Sequence, residues 1–100
     1  MTTLTNAQRQ KLRSLAHHLK PTTHVGKNGL SESVIASVDH ELDAHELIKV
    51  KFQDFKEERH ALADELVAAT GSILITIIGN IAILYRQHPD PEKRTVRLTR

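Results

Sequence analysis

The residues best suited to chemistry form one run, Gly26-Lys27-Asn28-Gly29, hereafter the glycine loop. Two glycines three positions apart allow the backbone to adopt positive φ angles and to come close to a ligand. Lys27 adds a cation between them, and Asn28 adds an amide. This combination can hold a phosphate group, but a Gly-x-x-Gly segment between a strand and a helix is also ordinary turn chemistry. The run alone leaves both interpretations open.

Other residues offer little for metal binding or catalysis. The chain has seven histidines and no cysteine. His17 and His18 are adjacent and diverge on a helix, and His40 and His45 do not have the i, i+4 spacing that places two ligands on one helix face. The glycine loop lacks the Ser or Thr that follows Gly-Lys in a nucleotide-binding P-loop. We expect no metal, no cofactor and no enzymatic activity.

Charge is distributed unevenly, although the net charge is only +2. Residues 1–30 carry five bases and no acid, residues 31–70 carry four bases and ten acids, and residues 71–100 carry five bases and two acids. If the two basic ends meet in space, one side of the molecule is positive and suits a polyanion. The alternative is that the basic ends are ordinary solvated surface.

The chain has 100 residues and is expected to form one domain with its own core. We place this domain at residues 1–88, followed by a basic tail at residues 89–100 that is partly disordered or adds an edge strand through residues 95–98. Residues 1–6 are polar, unlike a secretion signal, and the longest apolar run, residues 73–78, is too short to span a membrane. We expect a cytoplasmic monomer without membrane contacts.

The apolar pattern predicts the elements that position the glycine loop. Their order is α-β-α-β-α-β-β, which gives an α/β (α+β) fold with a four-stranded mixed sheet packed with three helices. The first helix is predicted from a capping box at Thr5 and Gln8 to the stop at Pro21. The second follows an N-cap at Ser31 and ends near residue 45, and the third covers about residues 57–70.

The predicted strands are residues 22–25, 47–52, 73–78 and 81–86. Residues 73–78 are apolar on both faces and are expected at the centre of the sheet. Gly79-Asn80 is a two-residue turn that joins the last two strands as a hairpin.

Basic side chains outside the glycine loop form further candidate contact surfaces. One row of the first helix is basic and contains Arg9, Arg13, His17 and Lys20. Lys49 and Lys51 share the wet face of their strand, where lysines also guard against edge pairing. Arg86 and the arginines of the tail extend the basic surface. For each of these surfaces, simple solvation is the alternative.

Several ordered blocks of sequence resemble the CRM domain family, named for chloroplast RNA splicing and ribosome maturation, in its bacterial single-domain, YhbY-like form. The blocks are Leu19-Lys20-Pro21, Val25 to Leu30, His45 to Lys51, Ile77 to Asn80, and Leu84-Tyr85-Arg86. The resemblance implies a fold related to the C-terminal domain of translation initiation factor three. It also implies RNA binding through Gly26, Lys27, Asn28 and Gly29, with ribosomal RNA or the precursor of the large ribosomal subunit as partner. Nothing is carried over to residues beyond Arg86.

The aromatic content restricts the kind of contact that is expected. The aromatic residues are Phe52, Phe55 and Tyr85, and Phe52 alternates with the core face of its strand. We therefore expect no stacking platform of the kind that single-strand binders use. Recognition should depend on phosphate and 2′-hydroxyl contacts to folded RNA, with strong salt dependence, and no DNA partner is expected.

A second class of function fits the acidic middle of the chain. In this alternative the chain is a protein-interaction module whose acidic helices dock a basic ribosomal protein. The residues that would do so include Asp39, Glu41, Asp43, Asp64 and Glu65.

Overall fold

The computed structural model describes residues 4–98, and the elements occur in the predicted order. The helices are α1 (Asn6–Ala16), α2 (Glu32–His45) and α3 (Arg59–Thr70), and the strands are β1 (Thr23–Val25), β2 (Leu47–Phe52), β3 (Ile73–Ile78) and β4 (Ile81–Tyr85). A short 3-10 helix, Pro91–Lys93, follows β4. Residues 1–3 of the polar N-terminus and residues 99–100 of the basic tail lie outside the described residues. The predicted fold class is confirmed.

The strands form one mixed sheet with the order β1-β2-β4-β3. β1 is parallel to β2, whereas β4 is antiparallel to both β2 and β3. The predicted hairpin is confirmed, because Ile78 pairs with Ile81 across Gly79-Asn80. The central position predicted for β3 is wrong, since β3 lies at an edge. The apolar side chains of β3 pack on both faces of the sheet, and its backbone pairs with one strand, β4.

Two apolar clusters lie on opposite faces of the sheet. Helices α2 and α3 cover one face, where Ile48, Val50 and Phe52 of β2 are almost completely buried. Helix α1 packs on the other face through Leu12 and Ala16, which contact a smaller cluster. The strand residues of that cluster are Leu47, Ile75, Ile83 and Tyr85. Because α1 is short, it covers only one end of this face.

Helix α1 begins as predicted but ends early. The Thr5 side chain accepts a hydrogen bond from the Gln8 N–H, and the Gln8 side chain accepts one from the Thr5 N–H, so the capping box is confirmed. The helix ends at Ala16 with His17 as its C-cap, well before Pro21. Leu19 remains 39% exposed, so a further helical turn would gain little burial. Lys20 is therefore not part of the helix, and the predicted row of four basic side chains is wrong as a helical row.

The described part of the tail is held by one buried carboxylate. Glu46 follows α2 with a φ of 62° and is 0% exposed. Its side chain accepts hydrogen bonds from the backbone N–H groups of His88 (2.6 Å), Thr95 (2.5 Å) and Val96 (2.8 Å). This arrangement, the Glu46 clasp, packs the tail beside the start of β2. Residues 94–98 form no strand, so the edge strand predicted there is wrong.

Candidate nucleic-acid interface

The glycine loop joins β1 directly to α2. Val25 pairs with Phe52, so the loop lies at the end of the sheet where β2 also ends. The Gly29 N–H donates to the Gly26 carbonyl oxygen (3.0 Å), which closes the loop as a turn. Ser31 caps α2 as predicted, because its Oγ accepts from the Val34 N–H (3.2 Å). Lys27 and Asn28 are exposed at the tip of the turn.

The two glycines of the loop have different structural roles. Gly29 has a φ of 61°, a left-handed conformation that favours glycine. Gly26 does not have a positive φ, and a Cβ atom placed on it would lie 3.9 Å from Asp54 Oδ2, an ordinary contact. The backbone conformation therefore favours glycine at position 29 but not at position 26. Because Gly26 has no side chain, a ligand can approach its backbone closely.

The connection between β2 and α3 lies against the glycine loop. The N–H groups of Gln53 (2.9 Å) and Asp54 (3.3 Å) both donate to the Val25 carbonyl oxygen. A Cβ atom on Gly29 would lie 3.7 Å from Cε2 of Phe55. This neighbour was not predicted from the sequence. The available signal was the β-α-β order, because parallel pairing of β1 and β2 brings their carboxyl ends to one edge of the sheet.

Lys49 and Lys51 occupy the part of the sheet face that α1 leaves uncovered. Both are partly exposed, as predicted, and Lys51 lies beside His24 in the β1–β2 register. His24 immediately precedes Val25 and is exposed. The Lys49 Nζ donates to the Leu19 carbonyl oxygen (3.0 Å). Lys51, with the polar side chain of His24 beside it, therefore continues the basic surface of the glycine loop onto the sheet.

The predicted basic row is divided among three places. The Arg9 Nη1 donates to the carbonyl oxygens of Leu74 (3.2 Å) and Ile75 (3.4 Å) on β3. Arg13 and His17 are exposed, on α1 and at its C-cap. Lys20 lies beyond the other end of β1, where it lines a groove of about 530 Å³. The structure does not bring these side chains together beside the glycine loop.

Arg86 lies inside a network of protein contacts, and its side chain is 18% exposed. Its guanidinium forms ion pairs with Asp39 (2.5 Å) and Asp43 (2.9 Å) of α2. It also donates to the carbonyl oxygens of Thr70 (2.7 Å) and Asp39 (2.9 Å). This network joins the end of β4 to both helices of one layer and balances the charge of Arg86.

The acidic residues fall into two groups. Asp39 and Asp43 pair with Arg86, and Glu41 pairs with His45 of the same helix (3.3 Å). Asp64 and Glu65 are exposed on α3.

Within residues 4–98, no group of three or more His, Asp or Glu side chains is positioned to hold a metal ion. In the same part of the chain, no helix is long and apolar enough to cross a membrane.

Comparison with known proteins identifies the class of protein to which this architecture belongs. Residues 4–86 match the CRS1 / YhbY (CRM) domain. The chain therefore belongs to the CRM domain family, and the resemblance drawn from its sequence blocks is confirmed.

Individual relatives come from several bacteria. A probable RNA-binding protein of Pseudomonas aeruginosa is 43% identical over 98 residues, which cover 97% of this chain and 94% of that protein. An RNA-binding protein of Haemophilus influenzae is 42% identical over 87 residues, covering 86% of this chain and 88% of the relative. The solution structure of a hypothetical Staphylococcus aureus protein, described as a candidate RNA-binding protein, is 35% identical with a TM-score of 0.77. That comparison covers 95% of this chain and 100% of the solved one.

Proposed function

We propose that this chain binds RNA and associates with ribosomal RNA or the precursor of the large ribosomal subunit during ribosome assembly, in the cytoplasm and as a monomer. The observation that carries the proposal is the glycine loop, which is exposed at a helix N-terminus and contains a glycine that the fold itself does not require. Membership of the CRM family and the RNA-binding names of the relatives support it.

The loop is suited to hold the RNA backbone. In KH domains a Gly-x-x-Gly loop clamps about four backbone nucleotides, because glycine lets the main chain approach the phosphates. Here the loop precedes the N-terminus of α2, where the helix dipole attracts an anion. Lys27 adds a full charge, and Asn28 can reach ribose or base. We assign the phosphate grip to Gly26, Lys27, Asn28 and Gly29.

The neighbouring sheet face extends the proposed contact. Lys51 lies nearest the loop and Lys49 lies further along β2, and both point to the face that α1 leaves open. Arg13 and His17 add exposed positive or polar groups on the same side of the sheet. Among the other proposed contacts, Arg9 and Arg86 are held by protein carbonyls and carboxylates. We expect these two residues and the remote Lys20 to contribute less to RNA affinity.

Two carboxylates near the loop shape what it accepts. Asp54 lies beside Gly26, and Glu32 lies in the first turn of α2. Besides the phosphate that the glycine loop holds, a second phosphate close to the Asp54 carboxylate would be repelled. The 2′-hydroxyl of ribose, in contrast, can donate a hydrogen bond to this carboxylate. This arrangement favours RNA over DNA at the loop.

A salt series with a matched pair of lysine variants tests the proposal. Binding of fragments of large-subunit ribosomal RNA is measured by fluorescence anisotropy for the wild type, Lys27→Ala and Lys93→Ala. Lys93 is exposed in the 3-10 helix, at the opposite end of the sheet from the loop. We expect Lys27→Ala to weaken binding and to reduce the slope of log K against log salt by about 1, with little effect of Lys93→Ala.

Two results would contradict the proposal. One is an affinity that does not depend on salt, and the other is equal binding by wild type and Lys27→Ala. Crosslinking the protein to RNA in cells, followed by sequencing of the attached RNA, tests whether the partner is ribosomal. Recovery of mainly non-ribosomal RNA would remove ribosome assembly from the proposal and leave RNA binding.

The competing protein-docking hypothesis gains no support from the arrangement of the acids. Asp39 and Asp43 form ion pairs with Arg86, and Glu41 contacts the His45 imidazole, so a basic partner would compete with existing contacts at these three acids. Asp64 and Glu65 are exposed on α3, but two adjacent acids are typical of a solvated helix face. We therefore do not adopt it as a second function.

A further inference from the structure

Phe55 differs from the other aromatic side chains in its exposure. Phe52 is 0% exposed and Tyr85 is 3% exposed, so both belong to the apolar clusters. The side chain of Phe55 is 42% exposed in the connection between β2 and α3. A single exposed aromatic side chain is common on protein surfaces. Phe55, however, lies beside the glycine loop.

The backbone holds the Phe55 ring against the glycine loop. Asp54 donates to the Val25 carbonyl oxygen just before it, and the Glu58 N–H donates to the Phe55 carbonyl oxygen (3.1 Å) just after it. The ring edge lies 3.7 Å from the position that a Gly29 Cβ would occupy. Phe55 also has a φ of 58°, a conformation that is rare for a bulky residue and that glycine or asparagine adopts more easily. Backbone preference does not explain phenylalanine at this position, and burial explains it only in part, because 42% of the residue is exposed.

The charges around the ring restrict what can lie on it. Asp54, Glu57 and Glu58 are exposed in the same short connection, with Lys56 as the single cation among residues 53–58. This local excess of negative charge disfavours a phosphate over the ring. An uncharged, planar group remains favourable, because an aromatic ring stacks on any nucleobase.

We propose that Phe55 stacks on one unpaired nucleobase of the RNA whose backbone the glycine loop holds. This inference rests on the proposed function and narrows the ligand to folded RNA with an extruded base, such as a bulge or a hairpin loop, beside the gripped phosphates. It also modifies the expectation from the sequence. The chain has no stacking platform for several bases, but one ring is placed to accept one base.

Two RNAs that differ in a single nucleotide test the inference. One is a hairpin with a one-nucleotide bulge in its stem, and the other is the same hairpin fully paired. We expect the wild type to bind the bulged hairpin about tenfold more tightly, because stacking on an aromatic ring is worth on the order of this factor or more per base. Phe55→Ala should lose that preference and keep the affinity for the paired hairpin.

Lys27→Ala separates the inference from the proposed function. This variant should weaken binding of both hairpins by a similar factor, because the phosphate grip is common to both. If Lys27→Ala has this effect while Phe55→Ala weakens both hairpins equally, or neither, the stacking inference is overturned and the phosphate grip stands. If neither hairpin shows salt-dependent binding to the wild type, the proposed function fails and the inference fails with it.

Phe55→Trp provides a direct optical readout, since the chain contains no tryptophan. We expect the bulged hairpin to quench the fluorescence of this tryptophan and the paired hairpin to leave it nearly unchanged. Quenching by both hairpins to the same extent, or by neither at saturating concentration, would overturn the inference. Thermal melting of Phe55→Ala and Phe55→Trp checks that both variants are folded.

Discussion

Replacing each glycine of the loop with alanine should separate RNA binding from folding. At Gly29 the left-handed φ of 61° penalises a Cβ atom by about 1–2 kcal/mol. Part of this cost is offset because alanine restricts the unfolded chain, an effect worth about 0.4–1 kcal/mol. We therefore expect Gly29→Ala to lower the free energy of unfolding by about 1 kcal/mol, which corresponds to roughly 4–8 °C in melting temperature for a domain of this size.

At Gly26 the same substitution should behave differently. A Cβ atom has an ordinary 3.9 Å contact there and no positive φ to oppose it, so stability should stay unchanged or rise slightly. The Cβ atom would, however, separate a bound phosphate from the backbone. Loss of one hydrogen bond to a charged group costs about 1.5 kcal/mol or more, so RNA affinity should fall about tenfold.

Thermal denaturation and fluorescence anisotropy on the same protein preparations measure the two effects. Gly71→Ala is a matched control, because Gly71 also has a left-handed backbone (φ 66°) and caps α3 at the opposite end of the sheet. It should lose stability as Gly29→Ala does while RNA affinity stays constant. A folded Gly26→Ala protein that binds RNA as tightly as the wild type would refute the assignment of close phosphate approach to this position.

Four further predictions concern residues outside the loop backbone. Arg86→Ala should lower the free energy of unfolding by about 2 kcal/mol, because carbonyls and carboxylates lose a charged donor, and folded Arg86→Ala should bind RNA normally in anisotropy measurements. Glu46→Gln should cost about 2 kcal/mol in urea denaturation and speed proteolysis of the tail, because the amide oxygen can keep the bonds from Thr95 and Val96 while the amide nitrogen cannot accept from the His88 N–H. Burial, with the charge of Glu46 in addition, raises the pKa of Tyr85 above its ordinary value of 10.0, so folding favours the neutral phenol. The contribution of this preference to the free energy of unfolding is complete below pH 10.0 and is lost as the pH rises through the folded-state pKa. Tyrosinate absorbance measures the ionisation of Tyr85 without overlap, since the chain has one tyrosine. Asp54→Asn should strengthen RNA binding about threefold, because it removes a repulsive charge beside the loop while its amide oxygen can still accept a hydrogen bond from a 2′-hydroxyl; unchanged or weaker binding in the salt series would contradict that role.

Local signals in the sequence were sufficient for most element boundaries. The caps at Thr5 and Ser31 were predictable because a capping side chain and its partner are only three residues apart. The left-handed end of α3 at Gly71 was predictable for the same reason. The alternation along β2 identified which side chains enter the core, because the period of a strand is two. Each of these features depends on neighbours within one helical turn or one strand.

Features that depend on distant residues could not be obtained in this way. The apolar composition of β3 suggested a central strand, but strand order is decided by pairing between segments far apart in sequence. Arg86 was predicted to be a cation available for RNA, because its ion pairs with α2 join residues that are far apart in sequence. Phe55 was one aromatic residue in a connection, and its position beside Gly29 follows only from the parallel pairing of β1 and β2. The glycine loop was therefore identified as a candidate site from its own residues, whereas its neighbour Phe55 was not.

The contact between Arg9 and β3 has a consequence for self-association. An edge strand offers unpaired backbone groups to any other extended chain, and β3 is rich in isoleucine. The register of β3 shifts between Leu74 and Thr76, and the Arg9 guanidinium binds two carbonyl oxygens at that point. An irregular ladder with a charged group seated on it is a poor template for a further strand. We therefore expect the Arg9 contact to disfavour pairing of a further strand at this point of β3.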